Sequence, residues 1–499
     1  MIRRLLVANR GEIAVRIIRA CRELGIETVA VCSEVDRRAL HARLADITVP
    51  IGPAPAIDSY LCVERLIEAA CTSGADAVHP GYGFLAENAG FARACEDAGL
   101  TFVGPPAPVI SQMGSKIESR ARAMEAGLPI VPGGTPEAQD DAALSAAAER
   151  VGFPLLVKAS AGGGGKGMRI VHAREDLAEA FASARHEAAG AFGDATLYLE
   201  RLLRETRHIE VQVFGDAHGR VVHLFERDCS TQRRHQKIVE ESPAPWLSDA
   251  LRGRMCDAAV ALARHIGYRN AGTIEFLVEG RGDDAHFYFL EMNTRLQVEH
   301  PITEAVAGVD LVHAQLRVAS GEPLPWRQES LAQRGHAIEC RIYAEDPTTD
   351  FLPQAGPLAV YREPQGPGIR VDSGVVEGDE VSIYYDPLLA KLVASAETRE
   401  MARGRMLAAL RRFAVLGIRT NIPFLIRVLE HPRFGEAAID TSFLDGEGRG
   451  LWEENVGPGF EAALAAAAAY DGRPAAREAE APAVADPWDR LRGWRSGLG

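Results

Sequence analysis

The chain has 499 residues, room for two to four domains with ample core, and its 47% hydrophobic content is ordinary for a globular protein. A net charge of -14 argues against general nucleic-acid binding, which needs a basic patch, and no uncharged apolar run is long enough for a transmembrane helix. The N-terminal apolar run is too short for a secretory signal, and the eight cysteines contain no C-x-x-C pair, the pattern of reduced thiols in a cytoplasmic protein.

The chain opens βαβ, with a buried strand over 4–8, an amphipathic helix over 13–24 and a strand over 27–32. This opening lacks G-x-G-x-x-G, which removes the main support for a dehydrogenase. The alternation continues with a helix over 60–73, a strand over 77–79, a helix over 88–98 and a strand over 101–103. Two glycines flank Tyr82 in the loop after a strand, where open α/β sheets place ligands; a plain turn with Tyr82 packed explains it equally. Lys116, just past Gly114, begins another helix and is placed to reach an anion there. Gly133, Gly134 and the acidic, alanine-rich 136–150 mark a hinge and a change of domain.

Within 154–171 two strand-like runs flank four glycines, Lys166 and Gly167. Glycine lets backbone N–H groups approach an anion closely, so the pattern predicts a hairpin closing over phosphates. It is not a P-loop, because Gly167 follows the lysine where Ser or Thr is required. Residues 198–203 read as a strand entering a linker, 208–213 alternate with period two, and 226–237 form a dense polar block after a strand. A strand over 272–278, a turn over 280–285 and a strand over 286–292 make a hairpin. If it is symmetric about 283, Glu275 faces Glu291, and two carboxylates across a ladder repel. A divalent cation such as Mg²⁺ or Mn²⁺ resolves this; so would one protonated acid or a slipped register.

From Glu291 onward, Glu291, Asn293, Arg295, Gln297 and Glu299 alternate with apolar or neutral residues, one face of an extended chain. Fully extended they would span roughly 26 Å. A single site therefore requires the chain to turn after Asn293, and Pro301 stops a regular strand. A helix over 311–319 follows, then an alternating run over 335–347 that puts Arg341 on the parity of Glu339 and Glu345. A strand-rich stretch runs to Lys391, helices cover 399–413 and 422–430, and 440–444 end the domain. The tail from 446 has an alanine-rich helix over 460–470 and a Pro/Ala/Glu linker that reads as disordered. Of 55 basic residues only five are lysine, namely Lys116, Lys158, Lys166, Lys237 and Lys391. The first four lie in motif-like stretches, where a compact point charge suits phosphate and a planar guanidinium does not.

In this order, the strings ANRGEIA, HPGYGFLAEN, KASAGGGGKGM, ERDCSTQRRHQK, EMNTRLQVEHP and GHAIECRIYAEDP resemble the biotin carboxylases of the ATP-grasp superfamily, over roughly residues 1–445. These are the ATP-dependent components of acetyl-CoA and related acyl-CoA carboxylases. The resemblance implies an α/β fold, α+β in its C-terminal part. A Rossmann-like domain would cover 1–113 and an ATP-grasp domain 114–320, with a mobile glycine-rich lid at about 131–203; a C-terminal domain would cover 321–445, and 446–499 would be the tail.

It further implies ATP contacts from Lys116, Lys158, His208, Gln232, His235 and Lys237. The backbone of Gly163, Gly164 and Gly165 would cover the phosphates, and Glu200, Arg201 and Leu203 would line the adenine. Glu275, Glu291 and Asn293 would hold Mg²⁺ or Mn²⁺. Arg295, Gln297, Val298 and Glu299 would bind bicarbonate, and Arg341 with Tyr82 would receive biotin. Glu299, Arg341, Arg295 and Lys237 would be catalytic, forming carboxyphosphate from bicarbonate and ATP and then carboxylating biotin. Ala161 replaces the first glycine of the usual loop, and Arg201 stands where lysine is common. No lysine follows Lys391, so biotin is expected on a separate carrier protein, or the chain is a shortened form. The tail ending in Trp488 and Trp494 is similar to the segment after this module in longer acyl-CoA carboxylase subunits. A carboxyltransferase subunit and a second copy of the chain are the other implied partners. Rival readings are another ATP-grasp ligase, sharing the lid and metal residues, and a non-catalytic scaffold. Arg295, Gln297, Glu299 and Arg341 favour bicarbonate and biotin.

Overall fold

In the strand Arg207–Gly215, Ile209, Val211 and Val213 enter one hydrophobic cluster while His208, Glu210 and Gln212 take the alternate positions. The helix Asp249–His265 adds Met255, Ala259 and Leu262 to that cluster; Ser248 caps it by accepting from the Leu251 N–H at 3.2 Å. One face of the sheet is thus sealed by apolar packing and the other is left for polar groups. The computed structural model describes residues 1–134, 136, 138–159, 168–192 and 195–452.

This strand is third in an antiparallel sheet of eight. The order is His286–Asn293, Asn270–Glu279, Arg207–Gly215, Val221–Arg233, Gln236–Ser242, His336–Tyr343, Leu388–Ala396, Ile369–Ser373. Gln236–Ser242 pairs with His336–Tyr343, so the sheet runs on without a break into the C-terminal part of the chain. There the helices Arg399–Leu410 and Ile422–Glu430 cover it through Met406, Leu410, Leu425 and Val428.

The N-terminal residues form a parallel sheet ordered Ile47–Gly52, Glu27–Ser33, Arg4–Val7, Ala77–His79, Thr101–Phe102. Its inner strands are apolar runs, as expected for a parallel sheet covered on both faces. The helix expected over 60–73 begins only at Val63, because Tyr60 is buried with its hydroxyl donating to Asp36 at 2.6 Å. After Ala77–His79 comes the loop of Tyr82. Asn9 donates to the carbonyls of Pro80 and Tyr82, both at 2.8 Å. Gly81 has φ +64°, and a Cβ there would lie 2.8 Å from the Asn9 amide nitrogen, so only glycine fits.

A four-stranded sheet ordered Gly133–Gly134, Leu197–Arg201, Leu155–Ala159, Arg169–Val171 carries its own core of Leu144, Leu155, Val157, Phe181, Leu197 and Leu199. The predicted hairpin is present, with Leu155 opposite Val171. Its connection, with Ala161, Gly163, Gly164, Gly165 and Lys166, lies outside the described residues, as do the predicted tail helix and linker. Among the described residues no helix is long and apolar enough to cross a membrane.

Candidate active site

Seven successive strands of the eight-stranded sheet send polar or charged side chains to the face that the helix His300–Ala307 packs on. In spatial order they carry Glu291 with Asn293, Glu275, Glu210 with His208, Arg227, Lys237 with Glu240, Arg341 and Lys391. The segment after Asn293 lies against them. The strand His286–Asn293 stops there, the chain turns, and Glu299 stands at the N-cap position of the helix His300–Ala307 with Pro301 in its first turn. The required turn is therefore present. Glu275 Oε1 accepts from Asn293 Nδ2 at 2.9 Å and from Gln297 Nε2 at 3.1 Å. Arg295 donates to Asn293 Oδ1 at 2.9 Å, to Gln297 Oε1 at 2.6 Å and to Glu87 at 2.9 Å. The alternating polar residues thus curl around Glu275 instead of lying along a strand.

Lys237 is the hub. Its Nζ donates to Glu210 Oε2 at 2.5 Å, Glu275 Oε1 at 2.8 Å and Glu299 Oε1 at 2.8 Å. The other oxygen of Glu299 accepts from Arg341 Nη2 at 3.0 Å, and Arg341 Nε donates to Glu240 at 2.6 Å. Arg227 is wholly buried. It donates to Glu210 at 2.5 Å, to Gln212 and Thr303 at 2.8 Å each, and to Thr273 at 3.1 Å. Taking a guanidinium out of water costs several kcal/mol, and these four acceptors are what makes its burial tolerable.

These contacts set the proton affinities. Burial alone would raise Glu299, but Lys237, Arg341 and Arg227 outweigh it and hold the carboxyl well below its usual range. Burial works against Glu275 in the same way, and Lys237 and His208, whose Nε2 is 2.9 Å from Glu275 Oε2, pull it down. Glu291 is raised, by burial first and then by Glu275. Glu240 is pushed up to about 7 by burial, only partly opposed by Arg341.

Glu275 does face Glu291, as symmetry about 283 requires, although the pairs nearer the turn are offset by one. Phe276 faces Phe289, and an extra residue, Leu290, shifts the register before Glu275 meets Glu291. Two hard carboxylates that repel, with the Asn293 amide beside them, are a donor set that suits Mg²⁺ or Mn²⁺. Two other groups, His208–Glu210–Glu275 and Glu210–Cys229–Glu299, also bring ligand-type atoms within 4.8 Å of one another. Lys237 and Arg227 already stand among those acids, so an ammonium and a guanidinium are the cations there.

Lys116 begins the helix Lys116–Glu125 behind the Ser115 cap. Burial lowers its pKa against the pull of Glu291 and Glu200, with Lys158 adding repulsion. Lys158 donates to Glu200 at 2.5 Å, and Arg120 also pairs with Glu200. Arg201 turns to Glu279 at 2.8 Å and to the Tyr288 hydroxyl at 3.2 Å, and half-buried Leu203 follows its strand. Gln232 stands opposite Lys237, and His235 is at the exposed hairpin tip with φ 66°. The Tyr82 hydroxyl is buried and has no hydrogen-bond partner among the described residues.

Three family models match the chain in succession. The N-terminal domain of biotin carboxylase matches residues 1–110, the ATP-binding domain of the carbamoyl-phosphate synthase L chain 115–327, and the C-terminal domain of biotin carboxylase 339–446. A biotin carboxylase of Halalkalibacterium halodurans is 50% identical over 444 residues, 89% of this chain and 97% of that protein. The chain belongs to the biotin carboxylase family. It is also 50% identical over 458 residues, 92% of its own length, to the mitochondrial methylcrotonoyl-CoA carboxylase subunit alpha of Arabidopsis thaliana, of which it spans 62%. Among solved structures, the biotin carboxylase domain dimer of Hydrogenobacter thermophilus 2-oxoglutarate carboxylase, in complex with MgADP, ADP and bicarbonate, superposes with a TM-score of 0.86 at 45% identity. That match covers 91% of this chain and 99% of the domain.

Within this biotin carboxylase fold, four residues of the charged cluster escape the sequence reading: Glu87, Glu210, Arg227 and Glu240. Glu210 had a signal, the period-two run over 208–213 that also carries His208. Glu87 had one too, as the acid of HPGYGFLAEN; it binds the Thr294 N–H at 3.0 Å as well as Arg295. Arg227 and Glu240 had none beyond lying in polar runs.

Proposed function

We propose that this chain carboxylates biotin on a carrier protein or domain, using ATP and bicarbonate, as the first half-reaction of an acyl-CoA carboxylase. The observation that carries this reading is Glu299, whose two oxygens are held by Lys237 and Arg341 at the junction between the Glu275–Glu291 pair and the turn of Arg295 and Gln297. Bicarbonate fits beside Arg295, Gln297 and the backbone of Val298, with Glu299 as the base. ATP fits along Lys116, Lys158, His208, Gln232, His235 and Lys237, with its adenine near Glu200, Arg201 and Leu203. Glu275, Glu291 and Asn293 would hold Mg²⁺ or Mn²⁺, which when bound supplies positive charge to the phosphate oxygens.

In the free protein Glu299 is a poor base, because its two cations favour the carboxylate. Arriving phosphates draw the Lys237 ammonium toward themselves. Glu299 then loses part of its pairing, and its proton affinity rises when ATP is in place. It takes the bicarbonate proton, and the resulting oxygen attacks the γ-phosphorus. ADP leaves and carboxyphosphate forms, while Lys237 and Lys116 neutralise charge on the transferring group. Carboxyphosphate breaks into CO₂ and phosphate, and the phosphate removes the ureido proton of biotin. Arg341 pairs with the biotin enolate, and Tyr82 borders it, while the enolate carbon–nitrogen system captures CO₂ through nitrogen.

The same reading divides the chain at 1–113, 114–320 and 321–445, supported by the three successive family matches. It takes a carboxyltransferase subunit and a second copy of the chain as partners, supported by the dimer of the Hydrogenobacter domain. A cytoplasmic location fits eight cysteines that are all free thiols. The test is ATP hydrolysis by the purified protein with bicarbonate, with and without free biotin. The expected result is hydrolysis that needs bicarbonate and is stimulated by biotin. Hydrolysis indifferent to both overturns the reading.

A further inference from the structure

Lys391 has no role in the site described so far, yet it is a lysine in a chain that uses arginine almost everywhere. Its side chain is 0% exposed. It stands directly opposite Arg341 in the ladder, so the two side chains leave the sheet on the same face. Arg341 donates to the Glu299 carboxylate at 3.0 Å; Lys391 Nζ donates to the Val298 carbonyl at 2.9 Å. Two facing cations therefore grip two consecutive residues of one turn, one by its side chain and one by its backbone.

The other neighbours of the ammonium come from distant parts of the chain. Glu12 Oε2 is 3.1 Å away and Asp372 Oδ2 4.0 Å, and the Tyr82 ring centre is 5.7 Å away. Glu12 lies on the helix Gly11–Glu23, whose start is pressed so closely on the C-terminal part that a Cβ on Gly374 would sit 2.5 Å from the Glu12 nitrogen. Such a closed pocket suits a compact ammonium better than a guanidinium fork.

We propose that Lys391 is a positioning residue for bicarbonate: by holding the Val298 carbonyl it fixes the peptide that joins Val298 to Glu299. It rests on the reading of Arg295–Glu299 as the bicarbonate site. The competing role is that of a plain counter-ion to Glu12. A double variant separates the two, because Lys391→Met with Glu12→Gln removes the ion pair without leaving an unpaired buried charge. Lys391→Met alone is expected to lower thermal stability, and the double variant to regain much of it. In both, the KM for bicarbonate in ATP hydrolysis rises about 10-fold or more, while the KM for ATP stays within about 2-fold. A double variant that folds with the wild-type KM for bicarbonate overturns the proposal, and so does one that fails to fold, which would make Lys391 a residue of stability. Wild-type hydrolysis that ignores bicarbonate overturns the functional reading instead, and the proposal with it.

Discussion

Lys237 donates to Glu299 across 2.8 Å, and the same ammonium holds Glu210 and Glu275. A single cation therefore bridges three buried acids, one from the turn and two from the sheet, with Arg227, Arg341 and His208 as their other partners. Replacing Lys237 with methionine leaves them facing one another. Breaking a buried ion pair by removing one partner costs about 3–5 kcal/mol. The expected outcome is a lower denaturation midpoint, partly recovered on lowering the pH as the crowded carboxylates take up protons. Bicarbonate-dependent ATP hydrolysis is expected to fall by about 10²-fold or more, measured on the folded fraction. Retained turnover would show that Lys237 is structural only.

Glu299→Gln keeps the shape of the side chain and its place at the helix start. It removes the base and leaves Arg341 paired with Glu240. MgATP affinity is expected to stay near that of the unmodified protein, while bicarbonate-dependent hydrolysis drops by about 10²–10⁴-fold. Equilibrium nucleotide binding and steady-state rates on the same preparation check both halves. Full activity of this variant would remove Glu299 as the base.

Much of this site is legible locally. Alternation marks His208, Glu291, Asn293 and Glu299, the hairpin pairing marks Glu275, and the scarcity of lysine marks Lys116, Lys158 and Lys237. The likeness to a family adds the substrates, which no spacing reveals. What stays hidden is hidden by bulges and by distance. Glu240 lies three residues after Lys237, so period two puts them on opposite faces. Yet Lys237 touches Glu299 directly and Glu240 reaches it through Arg341. The pairing slips between Gln232–Lys237 and Thr231–Val239, and the extra residue, Ile238, turns the strand over. Leu290 does the same in the hairpin of Glu275 and Glu291, where the symmetric count holds for that pair but fails for the pairs nearer the turn. Arg227 finds its acceptors in Glu210, Gln212, Thr273 and Thr303, and no local pattern names partners so far apart in the chain.

Glu291 is the acid whose proton affinity is raised by burial and by Glu275 across the ladder. Glu291→Gln removes that repulsion and one metal ligand together. The metal-free variant is expected to be as stable as the unmodified protein or more so. Its Mg²⁺ requirement for ATP hydrolysis is expected to rise by about 10-fold or more. Thermal midpoints without divalent ions and a Mg²⁺ titration of the rate test the two parts. A midpoint that falls in the metal-free variant would mean that the pair does not repel.

His79 supports the Tyr82 loop in one protonation state only. Its Nδ1 accepts from the Gly81 N–H at 3.0 Å, and its Nε2–H donates to Gln315 Oε1 at 3.2 Å. Both contacts together require a neutral ring. Burial lowers its pKa to about 4, the Gln315 bond opposing and Arg16 adding to the effect. An unfolded histidine protonates near about 6.5. The unfolded state therefore binds more protons between those values, and folding stability falls as pH drops from about 6.5 toward 4, by up to about 1.4 kcal/mol per pH unit for this one group. At pH 5 the loss amounts to about 2 kcal/mol. His79→Gln keeps an acceptor near the Gly81 N–H and carries no titratable proton. Its denaturant midpoint is expected to lie below that of the unmodified protein at pH 7.5 and to approach it at pH 5. His41, also lowered to about 4 by burial, remains in the variant and preserves part of the slope. Parallel midpoints across that range would show that the acid sensitivity of the fold comes from elsewhere.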